Sequence, residues 1–164
     1  MGIRAEAPTQ TAMSTLWRKR KMILGLVGGK CRECGTPQFP KAVICVNPDC
    51  GAHHSQDDYE FSDIPAKIKT FTSDLLAVSL DPPAKYGMIQ FEGGGRFMSD
   101  FTDCKQEELK VGLPMQMCFR LRTKDKERGF KNYFWKAMPV PGAAAQMDKI
   151  NYTGRVAIVT GAGG

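Results

Sequence analysis

Four cysteines within twenty residues constrain this chain more than anything else in it. Cys31-Arg32-Glu33-Cys34-Gly35 and Cys45-Val46-Asn47-Pro48-Asp49-Cys50-Gly51 form two knuckles, with ten residues between Cys34 and Cys45. Cys104 and Cys118 lie far downstream. Three disulfides would not divide six cysteines this way, whereas a metal site with two bystander thiols would. No long apolar stretch precedes a small-residue cleavage site at the N-terminus, so no secretory leader is visible. The expectation is a cytoplasmic chain whose thiols stay reduced. Zn²⁺ favours four soft ligands in a tetrahedron, and an all-cysteine shell leaves no open position, so the predicted site is structural. Gly35 and Gly51 each follow a knuckle's second cysteine, where a tight turn calls for positive φ. The second knuckle is longer than the usual C-x₂-C, and His53 or His54 stands close enough in sequence to replace Cys50. Both histidines fall outside the knuckle turn, which favours Cys31, Cys34, Cys45 and Cys50 as the ligand set. A catalytic zinc would need an open position and usually histidine or carboxylate ligands.

The rest of the chain reads as mostly β. Residues 1–12 have the composition of a mobile tail. MSTLWRKRKMILGLV, residues 13–27, has helical apolar spacing, with Arg18-Lys19-Arg20-Lys21 largely on the other face and Gly28-Gly29 as its stop. A solvated charged face on a packed helix is the plain interpretation; a docking helix for a partner chain is the sharper one, with Trp17 as an anchor. An acidic stretch, Gln56 to Glu60, reads as a link after the cysteine module. From Ala66 the pattern becomes strand-like: AKIKTFTS, LLAVSL, YGMIQFE, GGRFMSDF, MQMCFRLRT and NYFWKAMPV. Asp81-Pro82-Pro83 and Gly93-Gly94-Gly95 punctuate it as turns, and Glu107–Gly112 reads as one helical turn. KDKERG reads as an exposed hairpin loop. Five or six short strands in so few residues predict a small antiparallel barrel. The predicted boundaries are 1–28 for tail and amphipathic helix, 29–60 for the ribbon, 61–140 for the barrel, and 141–164 for a linker and a final segment.

Charge narrows the function classes. Lys and Arg number 23 against 17 Asp and Glu, for a net charge of +6. Such a balance favours polyanionic partners without choosing among them. The densest positive patch is Arg120, Arg122, Lys124, Lys126, Arg128, Lys131 and Lys136, interleaved with Phe130, Tyr133, Phe134 and Trp135. A solvated face is the plain interpretation. A basic aromatic barrel can also hold single-stranded nucleic acid, or the phosphates of a nucleotide cofactor such as coenzyme A. No run of 18 apolar residues is present to span a bilayer. No Ser/His/Asp order, Walker loop or paired carboxylates stand out, so no catalytic residue is assigned. Cys104 and Cys118 read as core or near-core thiols.

These residues together carry a resemblance. The amphipathic helix, Cys31-x-x-Cys34-Gly35, Phe39-Pro40, Cys45…Cys50-Gly51, Phe71-Thr72 and a closing Tyr133-x-Trp135 resemble the family that joins a rubredoxin-like zinc ribbon to a C-terminal OB-fold. The likeness covers roughly residues 14–140, and the cysteine module is its most specific part. It implies a non-catalytic accessory subunit of a thiolase-superfamily enzyme, hence a hetero-oligomer, in acyl-CoA degradation of aromatic or lipid substrates. The ribbon and helix, through Trp17, Ile23 and Val27, would dock on the thiolase-like partner. The OB-fold, through Arg120, Arg122, Arg128 and Lys131, would help hold a CoA thioester shared with that partner. The longer second knuckle, Asn47-Pro48-Asp49, is similar to small subunits of thiolases in anaerobic aromatic degradation, such as benzoylsuccinyl-CoA thiolase. A single-stranded nucleic-acid-binding protein is the competing expectation, and a self-sufficient CoA-thioester enzyme is a third that the missing nucleophile constellation disfavours. Residues 153–164 look like the opening of a short-chain dehydrogenase: Thr160-Gly161 match the start of its T-G-x-x-x-G-x-G motif and the remainder is missing. A fused or truncated segment is expected there, with no dehydrogenase activity carried over.

Overall fold

The computed structural model describes residues 12–77, 79, 82–125 and 128–143. The tail, the dehydrogenase-like segment, Asp81 of the proline turn and hairpin positions 126–127 therefore lie outside the described residues. Two short helices, α1 (Met13–Arg18) and α2 (Arg20–Gly25), lead into a three-stranded antiparallel sheet of β1 (Val27–Cys31), β2 (Pro37–Gln38) and β3 (Gln56–Glu60), in the order β2-β1-β3. Then come β4 (Ala66–Asp74), β5 (Ala84–Phe91), β6 (Arg96–Asp100), a 3₁₀ turn at Gln106–Glu108, β7 (Pro114–Asp125) and β8 (Phe130–Pro139).

The second sheet runs β6-β5-β4-β7-β8, all antiparallel neighbours. A parallel bridge between Phe101 and Ala137, backed by the Thr102 N–H donating to the Ala137 carbonyl at 3.0 Å, joins its two outer strands. A five-stranded sheet closed on itself this way is an OB-type barrel. Its inside follows from strand alternation: Ala66 and Ile68, Ile89 and Phe91, and Met115 face inward and are buried. One apolar core runs through the barrel into the first sheet. Leu26 and Phe61 are fully buried in it. Phe39 packs edge-on against both Phe61 and Phe97, at 5.8 and 5.1 Å between ring centroids.

Four local expectations change. The single helix over 13–27 breaks at Lys19 and ends at Gly25, where Leu26 takes left-handed φ and ψ of 48° and 40°. A β-unbranched side chain pays about 1–2 kcal/mol for that conformation, and full burial of Leu26 offsets it. Val27 consequently belongs to a strand, not to the helix. Gly28 and Gly29 do not stop a helix; they lie in β1, where a Cβ on Gly28 would sit 2.6 Å from both the Gln38 carbonyl oxygen and the Phe61 ring. The acidic stretch Gln56–Glu60 is no link but strand β3, paired with β1 along its length. Its charges are met by cations: Asp58 binds Lys21 at 2.6 Å and Lys41 at 2.7 Å, and Asp57 binds Arg32 at 2.7 Å. Finally, residues 75–77 of LLAVSL form no strand, while Val78 and Leu80 lie outside the described residues. Leu75 to Ala77 make a bend in which the Asp74 carboxylate accepts from the Leu76 and Ala77 N–H groups, and Leu76 is 94% exposed.

Candidate functional site

The two knuckles converge at the end of the first sheet. The last residue of β1 is Cys31, and the turn after it returns through Cys34, whose successor Gly35 has φ of 72° and donates its N–H to the Cys31 carbonyl at 2.9 Å. In the second knuckle the Asn47 carbonyl accepts from both Cys50 and Gly51 N–H, each at 3.1 Å, and Gly51 has φ of 55°. The Asn47 side-chain oxygen accepts from the Asp49 N–H at 3.1 Å, closing the longer loop as an Asx turn. Gln38 anchors the same loop from β2: its Nε2 donates to the Ile44 carbonyl and its Oε1 accepts from the Val46 N–H.

The four sulfurs lie within 4.8 Å of one another. Cys31 and Cys50 Sγ are 3.9 Å apart, and Cys34 and Cys45 Sγ are 3.5 Å apart. A tetrahedral zinc with Zn–S bonds of about 2.3 Å requires S···S separations of about 3.8 Å, so the donor set fits that ion. Two hydroxyls support it, Ser55 Oγ at 3.2 Å from Cys31 Sγ and Thr36 Oγ1 at 3.2 Å from Cys34 Sγ. The Thr36 hydroxyl is the main reason that the Cys34 thiol is lowered to about 6, and Ser55 likewise lowers Cys31. The Asn47 amide pulls Cys45 down, yet burial and the neighbouring sulfurs outweigh it and push that thiol up to about 12. Four thiolates this close repel one another without a dication among them. His53 and His54 are exposed and belong to no such cluster.

A second feature gathers residues from both ends of the chain. The helices lie beside the distal half of the β7–β8 hairpin and leave an apolar groove of about 310 Å³ between them. Leu16, Trp17, Ile23, Phe119, Phe130 and Tyr133 are among its lining residues, and Arg20 and Lys131 are its charged members. Trp17 and Ile23, expected at a partner interface, thus meet Lys131, expected to hold phosphate; Val27 is not among the lining residues. Arg120 is ion-paired with Asp103 at 3.1 Å, Arg122 lies over the Phe134 ring at 5.5 Å, and Arg128 is exposed beside the Gly129 turn. Cys104 packs against the core, and burial raises both its thiol and that of Cys118. Sequence reasoning missed Ser55, Thr36, Gln38 and Phe119. Thr36 was detectable two residues after Cys34; Ser55 and Gln38 reach the knuckles only through sheet pairing.

Comparison with known proteins matches residues 21–54 to the rubredoxin-like zinc ribbon domain of ChsH2 and residues 60–120 to its C-terminal OB-fold domain. A DUF35 domain-containing scaffold protein of Methanocaldococcus jannaschii is 30% identical over 129 residues, covering 76% of this chain and 88% of the relative. One from Pyrococcus furiosus is 30% identical over 136 residues, covering 78% and 93%. Among solved structures, a chain of the Ltp2-ChsH2(DUF35) aldolase superposes with a TM-score of 0.57 at 13% identity, over 80% of this chain and 96% of that one. The chain belongs to the DUF35 family and carries both of its parts, the zinc ribbon and the C-terminal OB-fold.

Proposed function

We propose that this protein is a non-catalytic accessory subunit of a thiolase-like enzyme, held together by a structural zinc on Cys31, Cys34, Cys45 and Cys50. One observation carries the docking role. Large apolar side chains stand in water on two elements of the N-terminal part: Trp17 and Leu24 on the helices, Val43, Ile44 and Val46 on the loop into the second knuckle. Where such side chains gather into a patch, they mark an interaction site. The relatives' description as scaffold proteins, and the occurrence of a chain of this fold in an aldolase named for two components, support the same reading. Zinc would serve the partner surface indirectly, by fixing the loop that carries Val43 to Val46.

The OB barrel would contribute cations to a CoA thioester bound at the junction with the partner, in acyl-CoA degradation. All four candidate cations belong to the β7–β8 hairpin, with Arg120 paired to Asp103, Arg122 over the Phe134 ring, and Arg128 and Lys131 on either side of Gly129 and Phe130. The test is copurification of the full chain with a thiolase-like subunit, followed by kinetics of the complex. Stable association, weakened when Trp17→Ala is introduced, supports docking. Arg128→Ala should raise the apparent KM several-fold with kcat nearly unchanged, since uniform binding remote from the chemistry behaves this way. Wild-type kinetics in both Arg128→Ala and Lys131→Ala, with lost oligonucleotide binding, would move the patch to nucleic acid.

A further inference from the structure

The groove between the helices and the β7–β8 hairpin has the build of a small-molecule site. Its volume of about 310 Å³ stands at the lower end of the range of about 300–1,000 Å³ for ligand pockets. An apolar cavity of about 150 Å³ already accommodates benzene. Flat surfaces line it in fixed orientations. Phe119 and Tyr133 stack with their planes 22° apart and centroids at 5.8 Å. On the helix side the Arg20 guanidinium lies 4.3 Å from the centre of the Trp17 ring and donates to the Trp17 carbonyl at 2.9 Å, so the indole and its cation are held as a unit. Trp17 is nonetheless 69% exposed and Tyr133 44%. The two charged residues on the lining, Arg20 and Lys131, are both cations, and among the described lining residues there is no carboxylate.

We propose that this groove binds a planar apolar molecule bearing an anionic group, its ring against Trp17 and the Phe119–Tyr133 stack and its anion against Arg20 and Lys131. Apolar area accounts for attraction to any flat ring; the cations make the site selective, because a charge-assisted contact is available only to an anion. The groove shares Trp17 and Lys131 with the accessory-subunit reading, but its test uses this chain alone, so the two readings fail separately. Two sources share this chemistry, aromatic carboxylic acids and adenine nucleotides, and the test separates them.

The experiment titrates the zinc-loaded full chain by calorimetry with 2-naphthoate, with adenosine 3′,5′-bisphosphate and with the neutral isostere 2-naphthalenemethanol. In parallel it follows Trp17 emission in a Trp135→Phe background, where Trp17 is the remaining indole. Saturable one-site binding of either anion, with Trp17 quenched and the neutral isostere at least tenfold weaker, supports the proposal; the anion that binds identifies the source. Lys131→Glu should weaken that anion at least tenfold while zinc content and the far-ultraviolet spectrum stay unchanged. Equal binding of the neutral isostere, anion binding indifferent to Lys131→Glu and to Trp17→Ala, or no binding by either anion overturns it. Self-association of the chain that Trp17→Asp abolishes also overturns it, because the groove is then an interface between copies.

Discussion

At the residue scale the four sulfurs carry the most weight. Cys31→Ser is expected to lose about one zinc per chain and to destabilise the N-terminal part, because metal binding at such a site is folding free energy. His53→Ala should keep its zinc; metal analysis of both variants after gel filtration decides, and zinc lost from His53→Ala but kept by Cys50→Ser would reverse the ligand assignment. Asp58 gives a second test. Hydrogen bonds from Lys21 and Lys41 lower its carboxyl to about 2, below the unfolded value near 4. A group depressed on folding contributes stability fully above its unfolded pKa and loses it as pH falls through its folded one. Melting temperatures of the native chain and Asp58→Asn should therefore differ at pH 6, converge between about pH 4 and pH 2, and differ less in high salt, because both ion pairs are solvent-exposed. A gap that widens on acidification would contradict the linkage.

Elements show where a sequence can be read and where it cannot. The knuckles were legible because spacing, glycine and cysteine act within a few residues: Gly35 and Gly51 do adopt positive φ. Barrel strands β4 and β7 were legible from alternation, β5, β6 and β8 as short runs bounded by turn signals, and the hairpin from its charged loop. What escaped depends on distant partners. Leu26 ends its helix in a left-handed conformation because the core awaits its side chain. Asp57 and Asp58 tolerate a strand because Arg32, Lys21 and Lys41 neutralise them. Gly28 is a packing residue only once Phe61 and the Gln38 carbonyl lie against it. Gly28→Ala should accordingly cost about 1–3 kcal/mol in urea unfolding, the range for overpacking, since one close neighbour is backbone and cannot yield. Phe61→Ala, in the same contact, should cost about 3–5 kcal/mol. A neutral Gly28→Ala would contradict the close approach of β1 to β2 and Phe61.

For the whole molecule, one core joins ribbon and barrel through Phe39, Phe61 and Phe97, while Trp17 and Leu24 on the helices and Val43, Ile44 and Val46 on the knuckle loop are among the large apolar side chains left exposed. An anchor aromatic typically contributes about 1 kcal/mol or more to an interface, so Trp17→Ala should weaken the complex with a thiolase-like subunit at least several-fold. The central claim is that this chain assembles with such a subunit and does no acyl-CoA chemistry alone. The direct measurement is CoA-thioester turnover by the purified chain, by the partner subunit, and by their mixture, with the mixture's mass determined by light scattering. The account predicts no turnover by the chain alone, a hetero-oligomeric mass for the mixture, and activity that depends on both. Turnover by this chain alone, or a mixture whose components stay separate and whose activity equals the partner's, would contradict it.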